Sequence, residues 1–156
     1  MAISGSFAAG DEVKFADAYV EVDDGASGSY VLISTWATEV TATIGSTPTA
    51  KTYPFQGNVV VTVGNKDSDK VKVACIYTEG STAPFDNIYA SYIASPGKAF
   101  NVRWTPAGST NGNNQFTTSG GKLIMCTIPP ATGDGVSPAI FEFEVECSSI
   151  GLGVKA

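Results

Sequence analysis

The densest run of chemistry-bearing residues lies near the C-terminus, in Ala139-Ile-Phe-Glu-Phe-Glu-Val-Glu-Cys147. Glu142, Glu144 and Glu146 alternate there with Phe141, Phe143, Val145 and Cys147. On a strand this puts the three carboxylates on one face, about 6.7 Å apart. Two carboxylates facing each other across a cleft can hydrolyse a glycosidic bond. Three that project alike from one strand flank no cleft. The remaining readings are an ordinary solvated strand face or a deliberately acidic surface. Neighbouring carboxylates repel by only about 0.6 kcal/mol in water, and salt lowers this further. The stripe is therefore tolerable wet and costly buried, and it is expected to face water.

Other constellations fail on residue type or spacing. The chain has no histidine, which removes the commonest general base, the Ser-His-Asp and Cys-His nucleophile systems and every His-ligated metal site. Gly120-Gly121-Lys122-Leu123 lacks both the hydroxyl residue after the lysine and the earlier glycine of a phosphate loop, where Phe116 stands. Asn65-x-Asp67-x-Asp69 mimics the start of a calcium loop, but Lys70 replaces the required glycine and Ile76 the bidentate glutamate. Cys75, Cys126 and Cys147 form no Cys-x-x-Cys pair and sit in apolar stretches. They read as reduced core thiols, matching folding in a reducing cytoplasm. No catalytic residue, metal ligand or cofactor is expected, and an enzyme is disfavoured.

Composition narrows the field further. The 156 residues suit one domain, 1–156, large enough to bury a core without staples. Apolar residues make up 43% and charged residues 15%, the latter below the average of about 25% for soluble domains. Nine Lys+Arg against fifteen Asp+Glu give a net charge of −6, which opposes tight nucleic-acid binding. All of that net charge comes from residues 1–39, which include Glu21, Asp23 and Glu39; residues 40–156 sum to zero. No basic start with an apolar run marks a secretory signal, and no apolar run is long enough for a membrane helix.

The elements that must carry these residues repeat with period two. Tyr19–Asp23 and Ser29–Thr35 flank a Gly-rich turn, and Thr38–Ile44 alternates Val40, Ala42 and Ile44 with polar residues. Asn58–Val63 and Lys70–Tyr77 read as a hairpin. Lys98–Trp104, Lys122–Ile128 and Ala139–Cys147 follow. Only 84–94 breaks the pattern: Phe85, Ile88, Tyr89, Tyr92 and Ile93 recur at helical spacing and form the core face of one short helix. Pro84 suits its first turn and Ser95-Pro96-Gly97 ends it. The predicted fold is mainly β, a β-sandwich or barrel with this helix packed outside. Long loops are expected at 105–121 and 129–138, a long loop or an irregular, extended hairpin at 45–57, an N-terminal arm at 1–17 and a flexible C-terminal tail at 148–156.

In this order of features the chain resembles the major tail tube proteins of long-tailed, siphophage-type bacteriophages. The pattern comprises a polar N-terminal arm, paired strands, the long loop Gly45–Gly57 and the single helix. Next come the aromatic strand Phe100-Asn-Val-Arg-Trp-Thr-Pro106, a Gly/Asn-rich loop, Gly121-Lys-Leu-Ile-Met-Cys-Thr-Ile-Pro-Pro130, the Gly133–Gly135 loop and the final acidic strand. The resemblance implies a structural virion protein, assembled in the host cytoplasm, whose hexameric rings stack into a hollow tube. Its inner strands would join into one continuous barrel, and double-stranded DNA would pass without tight binding. Implied partners are further copies of the chain and tail terminator, tail tip and tape-measure proteins, with no membrane. Glu142, Glu144 and Glu146, with Glu21, Asp23 and Glu39 as rivals, are the acidic candidates for the lumen. Pro48, Lys51, Tyr53, Pro54 and Phe55 are the candidates for ring stacking. Two rivals stand beside this reading. One is a capsid decoration or other virion surface protein. The other is a carbohydrate-binding β-sandwich module using Trp36, Trp104 or Tyr53.

Overall fold

A computed structural model of the chain describes residues 18–80, 82–131 and 135–156. The expected N-terminal arm and most of the Gly133–Gly135 loop lie outside them. Among the described residues, eleven strands and one helix follow in chain order. They are β1 (Tyr19–Asp24), β2 (Val31–Leu32), β3 (Ala37–Thr43), β4 (Thr49–Thr52), β5 (Val60–Val63) and β6 (Asp69–Ile76). After these come α1 (Pro84–Ala94), β7 (Phe100–Thr105), β8 (Asn114–Ser119), β9 (Lys122–Cys126), β10 (Ile140–Cys147) and β11 (Ser149–Val154). The fold is mainly β with one helix, as the periodicity predicts.

Two antiparallel sheets form a sandwich. One has the order β11-β8-β7-β1-β2, the other β3-β6-β10-β9. Alternation decides which side chains enter the core. In β10, Phe141, Phe143 and Val145 are fully buried while Glu142, Glu144 and Glu146 are half-buried on the opposite face. Val71 and Val73 of β6, Leu123 of β9, and Phe100 and Val102 of β7 complete the core, with Phe100 meeting Phe143 edge-on at 5.7 Å between centroids. Burying each such side chain stabilises the fold by about 1.5–3 kcal/mol.

The helix starts at Pro84 without a side-chain cap and ends where the Ser95 N–H bonds the Ser91 carbonyl. Ile88 is buried, and Phe85 and Tyr92 pack on the core. Phe85 stands edge-on to both Tyr77 (5.0 Å) and Phe141 (5.1 Å). The predicted core face is narrower than its five residues: Tyr89 stacks only on Phe85, and Ile93 is 60% exposed.

Three segments read as loop or tail are strands. Ser149–Val154 pairs antiparallel with β8 along its whole length, so the flexible tail is corrected to an edge strand. Its Ile150-x-Leu152-x-Val154 alternation is interrupted by Gly151 and Gly153, which hide the strand pattern. β8 is mostly polar, but its buried Thr118 hydroxyl accepts the Val102 N–H and donates to Asn101. β4 lies inside the predicted 45–57 loop. It pairs with β5, so the expected hairpin of Asn58–Val63 with Lys70–Tyr77 does not form; β6 pairs instead with β3 and β10.

Backbone bonds bridge the two pairings. The Asp67 N–H donates to the Ser46 carbonyl (2.9 Å) and the Gly64 N–H to the Pro48 carbonyl (2.8 Å). β3–β4 and β5–β6 are thus the arms of one long ribbon. From Thr43 to Thr52 the arm reaches about 30 Å at the usual strand rise.

Candidate functional site

Two features stand out: the outward face of the β3-β6-β10-β9 sheet and the ribbon that extends from it. On the face, register fixes the neighbours. Glu142 lies opposite Ala74, Glu144 opposite Lys72 and Glu146 opposite Lys70 on β6. On the other side Glu146 faces Lys122 and Glu144 faces Met125 of β9. Across β6, Thr41 and Thr43 of β3 face Lys72 and Lys70, with Glu39 opposite Ala74. The stripe read from the sequence as acidic is therefore interleaved with lysines. Lys72 Nζ lies 3.3 Å from Glu142 and Lys70 Nζ 3.9 Å from Glu144, while Ser68 donates to Glu146 and Thr41 to Glu39 (2.9 Å). Half-exposed pairs of this kind contribute about 0–1 kcal/mol, so they shape the surface field more than stability. Lys70, Lys72 and Lys122 alternate with Val71, Val73 and Leu123 along their strands. That alternation was visible in the sequence; that these strands flank β10 was not.

The rival acids lie elsewhere. Glu21 is 7% exposed on the other sheet and takes the Nε and Nη2 protons of Arg103 at 2.8 and 2.7 Å. Arg103 in turn lies over the Tyr30 ring at 3.9 Å from its centroid. Asp23, 2% exposed, accepts the N–H groups of Ser27 (3.0 Å) and Gly28 (2.7 Å) and ties the β1–β2 turn. Both carboxylates are consumed by local partners. Of the six acidic candidates, the structure gathers Glu39, Glu142, Glu144 and Glu146 on one sheet face and separates Glu21 and Asp23 from it.

At the ribbon, Pro48, Lys51, Tyr53, Pro54 and Phe55 are all exposed. Tyr53 is 72% and Phe55 fully exposed at the tip, and Val60, Val61 and Val63 of β5 are exposed as well. These apolar side chains are left to water on a ribbon whose other strand is mostly polar. A lone two-stranded ribbon is also marginal in water without a partner.

One residue anchors the ribbon's base, and sequence reasoning gave it only a turn role. Asp69 is 1% exposed. Its Oδ1 accepts the Gly45 N–H (2.8 Å) and the Lys66 ammonium, and its Oδ2 the Ile150 N–H (3.1 Å). It thereby joins the ribbon to β11 of the opposite sheet. The Lys66 hydrogen bond, then that from Gly45, hold its carboxyl below the ordinary value of 3.8. Gly45 has no room for a side chain, because a Cβ there would sit 2.1 Å from the Asp67 carbonyl oxygen. The calcium-like spacing of Asp67 and Asp69 thus serves this joint, with Asp67 bonded to Ser46.

The cysteines are core thiols. Burial pushes Cys75 up to about 12 and Cys126 to about 11, which keeps both protonated and unreactive. As a sugar platform the aromatics also disappoint: Trp104 is 9% exposed and stacked on Phe116 at 5.4 Å, and Trp36 packs against the core. Only Tyr53 of the three is well exposed.

Among the described residues β3 has no strand on its outer edge. The first half of β9 is bonded on that side by the 97–100 segment, with the Leu123 N–H donating to the Lys98 carbonyl (3.0 Å) and the Gly97 N–H to the Leu123 carbonyl (3.0 Å), so only its far end is open. A cavity of about 510 Å³ with a mixed wall opens beside β3, lined by residues that include Val20, Val40 and Trp104 together with Ser34, Thr38 and Glu39.

No protein-family model and no curated protein matches the chain. Solved structures do. A chain of the sheath–tube complex of an extracellular contractile injection system, PVC, aligns with TM-score 0.70 and 15% identity over 94% of each chain. A chain of the tube-terminating cap of the anti-feeding prophage aligns with TM-score 0.70 and 14% identity over 99% of each. A chain of the tail of an empty gene transfer agent particle, of C6 symmetry, aligns with TM-score 0.58 and 10% identity over 88% of this chain and 95% of that one. At these identities the likeness is one of fold.

Proposed function

We propose that this chain is a structural tail tube protein that closes into hexameric rings, which stack into a hollow tube conducting double-stranded DNA. The reading rests above all on the ribbon. Its valines and its Tyr53–Phe55 tip are left to water by the monomer, and water is a poor environment for them. Stacking rings would cover them, each ribbon reaching the next ring. The open edge of β3 would pair around a ring with the far end of β9, beyond its bonds to the 97–100 segment, removing edges that otherwise invite aggregation. The charged face of that sheet would then line the bore. A head-to-tail contact between two different edges closes only if its rotation divides a circle, and six-fold symmetry is that of the gene transfer agent tail. Terminator, tip and tape-measure proteins of the same particle would meet the tube at its ends and in its bore.

Negative-stain microscopy of concentrated purified protein tests this. Hollow tubes with six-fold end views are expected. Stable trimers would favour a capsid decoration role, and monomers that bind glycans a carbohydrate module; either would overturn the tube reading.

A further inference from the structure

We infer that the bore of the tube is charge-compensated rather than acidic, and that it passes a polyelectrolyte of either sign by size alone. This deepens the tube reading and rests on it. The observation is the column order of the β3-β6-β10-β9 sheet. Its outward face carries Glu39 on β3, Lys70 and Lys72 on β6, then Glu142, Glu144 and Glu146 on β10, and Lys122 on β9. Columns therefore run negative, positive, negative, positive. At a contact between copies, β9 brings one charge, Lys122, level with Thr43, and β3 brings one, Glu39, level with Ala74, so the compensation is carried mainly by the β6 and β10 columns.

Like-signed columns are two strands apart, about 9.6 Å. That is close to the Debye length of about 10 Å at 0.1 M salt. Opposite columns cancel each other's field within such a distance of the wall, leaving only the small acidic excess of Glu over Lys. Two of the three lysines are also occupied: Lys72 by Glu142 at 3.3 Å and Lys70 by Glu144 at 3.9 Å. Phosphates thus find few free ammoniums, and a passing ammonium or guanidinium finds few free carboxylates. A uniformly acidic wall would already release DNA. Lysines placed against the carboxylates are needed only if groups of both signs must slide past.

The test uses assembled tubes at 0.1 M salt, with a fluorescent duplex oligonucleotide and a fluorescent oligolysine as probes, read by co-sedimentation. Lys70→Thr with Lys72→Thr should raise oligolysine retention at least tenfold. Glu142→Thr with Glu144→Thr should raise duplex retention comparably. The charge-swapped variant, Lys72→Glu with Glu142→Lys, should behave as wild type for both probes, and it guards against loss of assembly in the others. Unchanged retention in both threonine variants, or strong oligolysine retention by a swapped variant, would overturn the inference while leaving the tube intact. Failure of the wild-type chain to form tubes at all would overturn the tube reading, and this inference with it.

Discussion

β10 and β5 are built from the same kind of residue and meet opposite fates. In β10, Phe141, Phe143 and Val145 are 0% exposed, because β6 and β9 flank the strand and the second sheet covers it. In β5, Val60, Val61 and Val63 are 52%, 53% and 68% exposed, because among the described residues β4 is the only strand paired with them. Apolar area removed from water stabilises a fold, and area left in water does not. The sandwich therefore accounts for the stability of the single chain. The ribbon accounts for something outside it. The contrast separates two uses of one alphabet, folding and assembly, and it can be attacked from either side.

The largest effect is expected in the sandwich. Phe143→Ala leaves a cavity where Phe100 and Phe141 now pack and should cost about 3–5 kcal/mol in denaturant unfolding of the monomer. A loss below 1 kcal/mol would mean the two sheets do not meet there. Next comes the joint between the regions. Gly45→Ala drives a Cβ to 2.1 Å from the Asp67 carbonyl oxygen and should cost about 1–3 kcal/mol, as overpacking does; a neutral result would show the ribbon base to be loose.

The joint also carries a pH signature. The folded Asp69 carboxyl lies below its ordinary value of 3.8, so the unfolded chain takes up its proton first. Asp69 thus stabilises the fold above that value, and the contribution fades as the pH falls through the folded value. Thermal melts of wild type and Asp69→Asn should differ at neutral pH and converge in strong acid. A difference independent of pH would remove the carboxylate from the account. The smallest effect on the monomer belongs to the ribbon. Phe55→Ser with Val61→Thr should leave unfolding within about 0.5 kcal/mol of wild type while abolishing assembly in a sedimentation assay; persistence of assembly would detach the ribbon from stacking.

The sequence exposed these regions unequally. Strands with clean alternation, such as Lys70–Ile76 and Ile140–Cys147, were legible because one face is buried and period two follows. The helix was legible from its spacing, although Ile93 kept the period without a surface to meet. β4, β8 and β11 were not legible, since their polar or glycine positions are satisfied by backbone pairing and by bonds such as that of Thr118 to Val102. The carboxylate face was half legible. Periodicity places Glu142, Glu144 and Glu146 together, but strand order, which places Lys70, Lys72 and Lys122 beside them, depends on pairings distant in sequence. Glu21 and Asp23 misled for the same reason: Arg103 stands opposite Glu21 only after β1 and β7 have paired, and the Asp23 bonds form only when the turn closes.

The central claim is that the charged sheet is completed by other copies of this chain through β3 and β9. It is tested most directly by introducing cysteines at Thr41 on β3 and Met125 on β9 and bridging them with a short bismaleimide in concentrated protein. The account predicts a ladder of covalent oligomers on a denaturing gel that ends in a closed hexamer, absent when either cysteine is used alone. Monomers throughout, or dimers formed equally by each single cysteine, would contradict it.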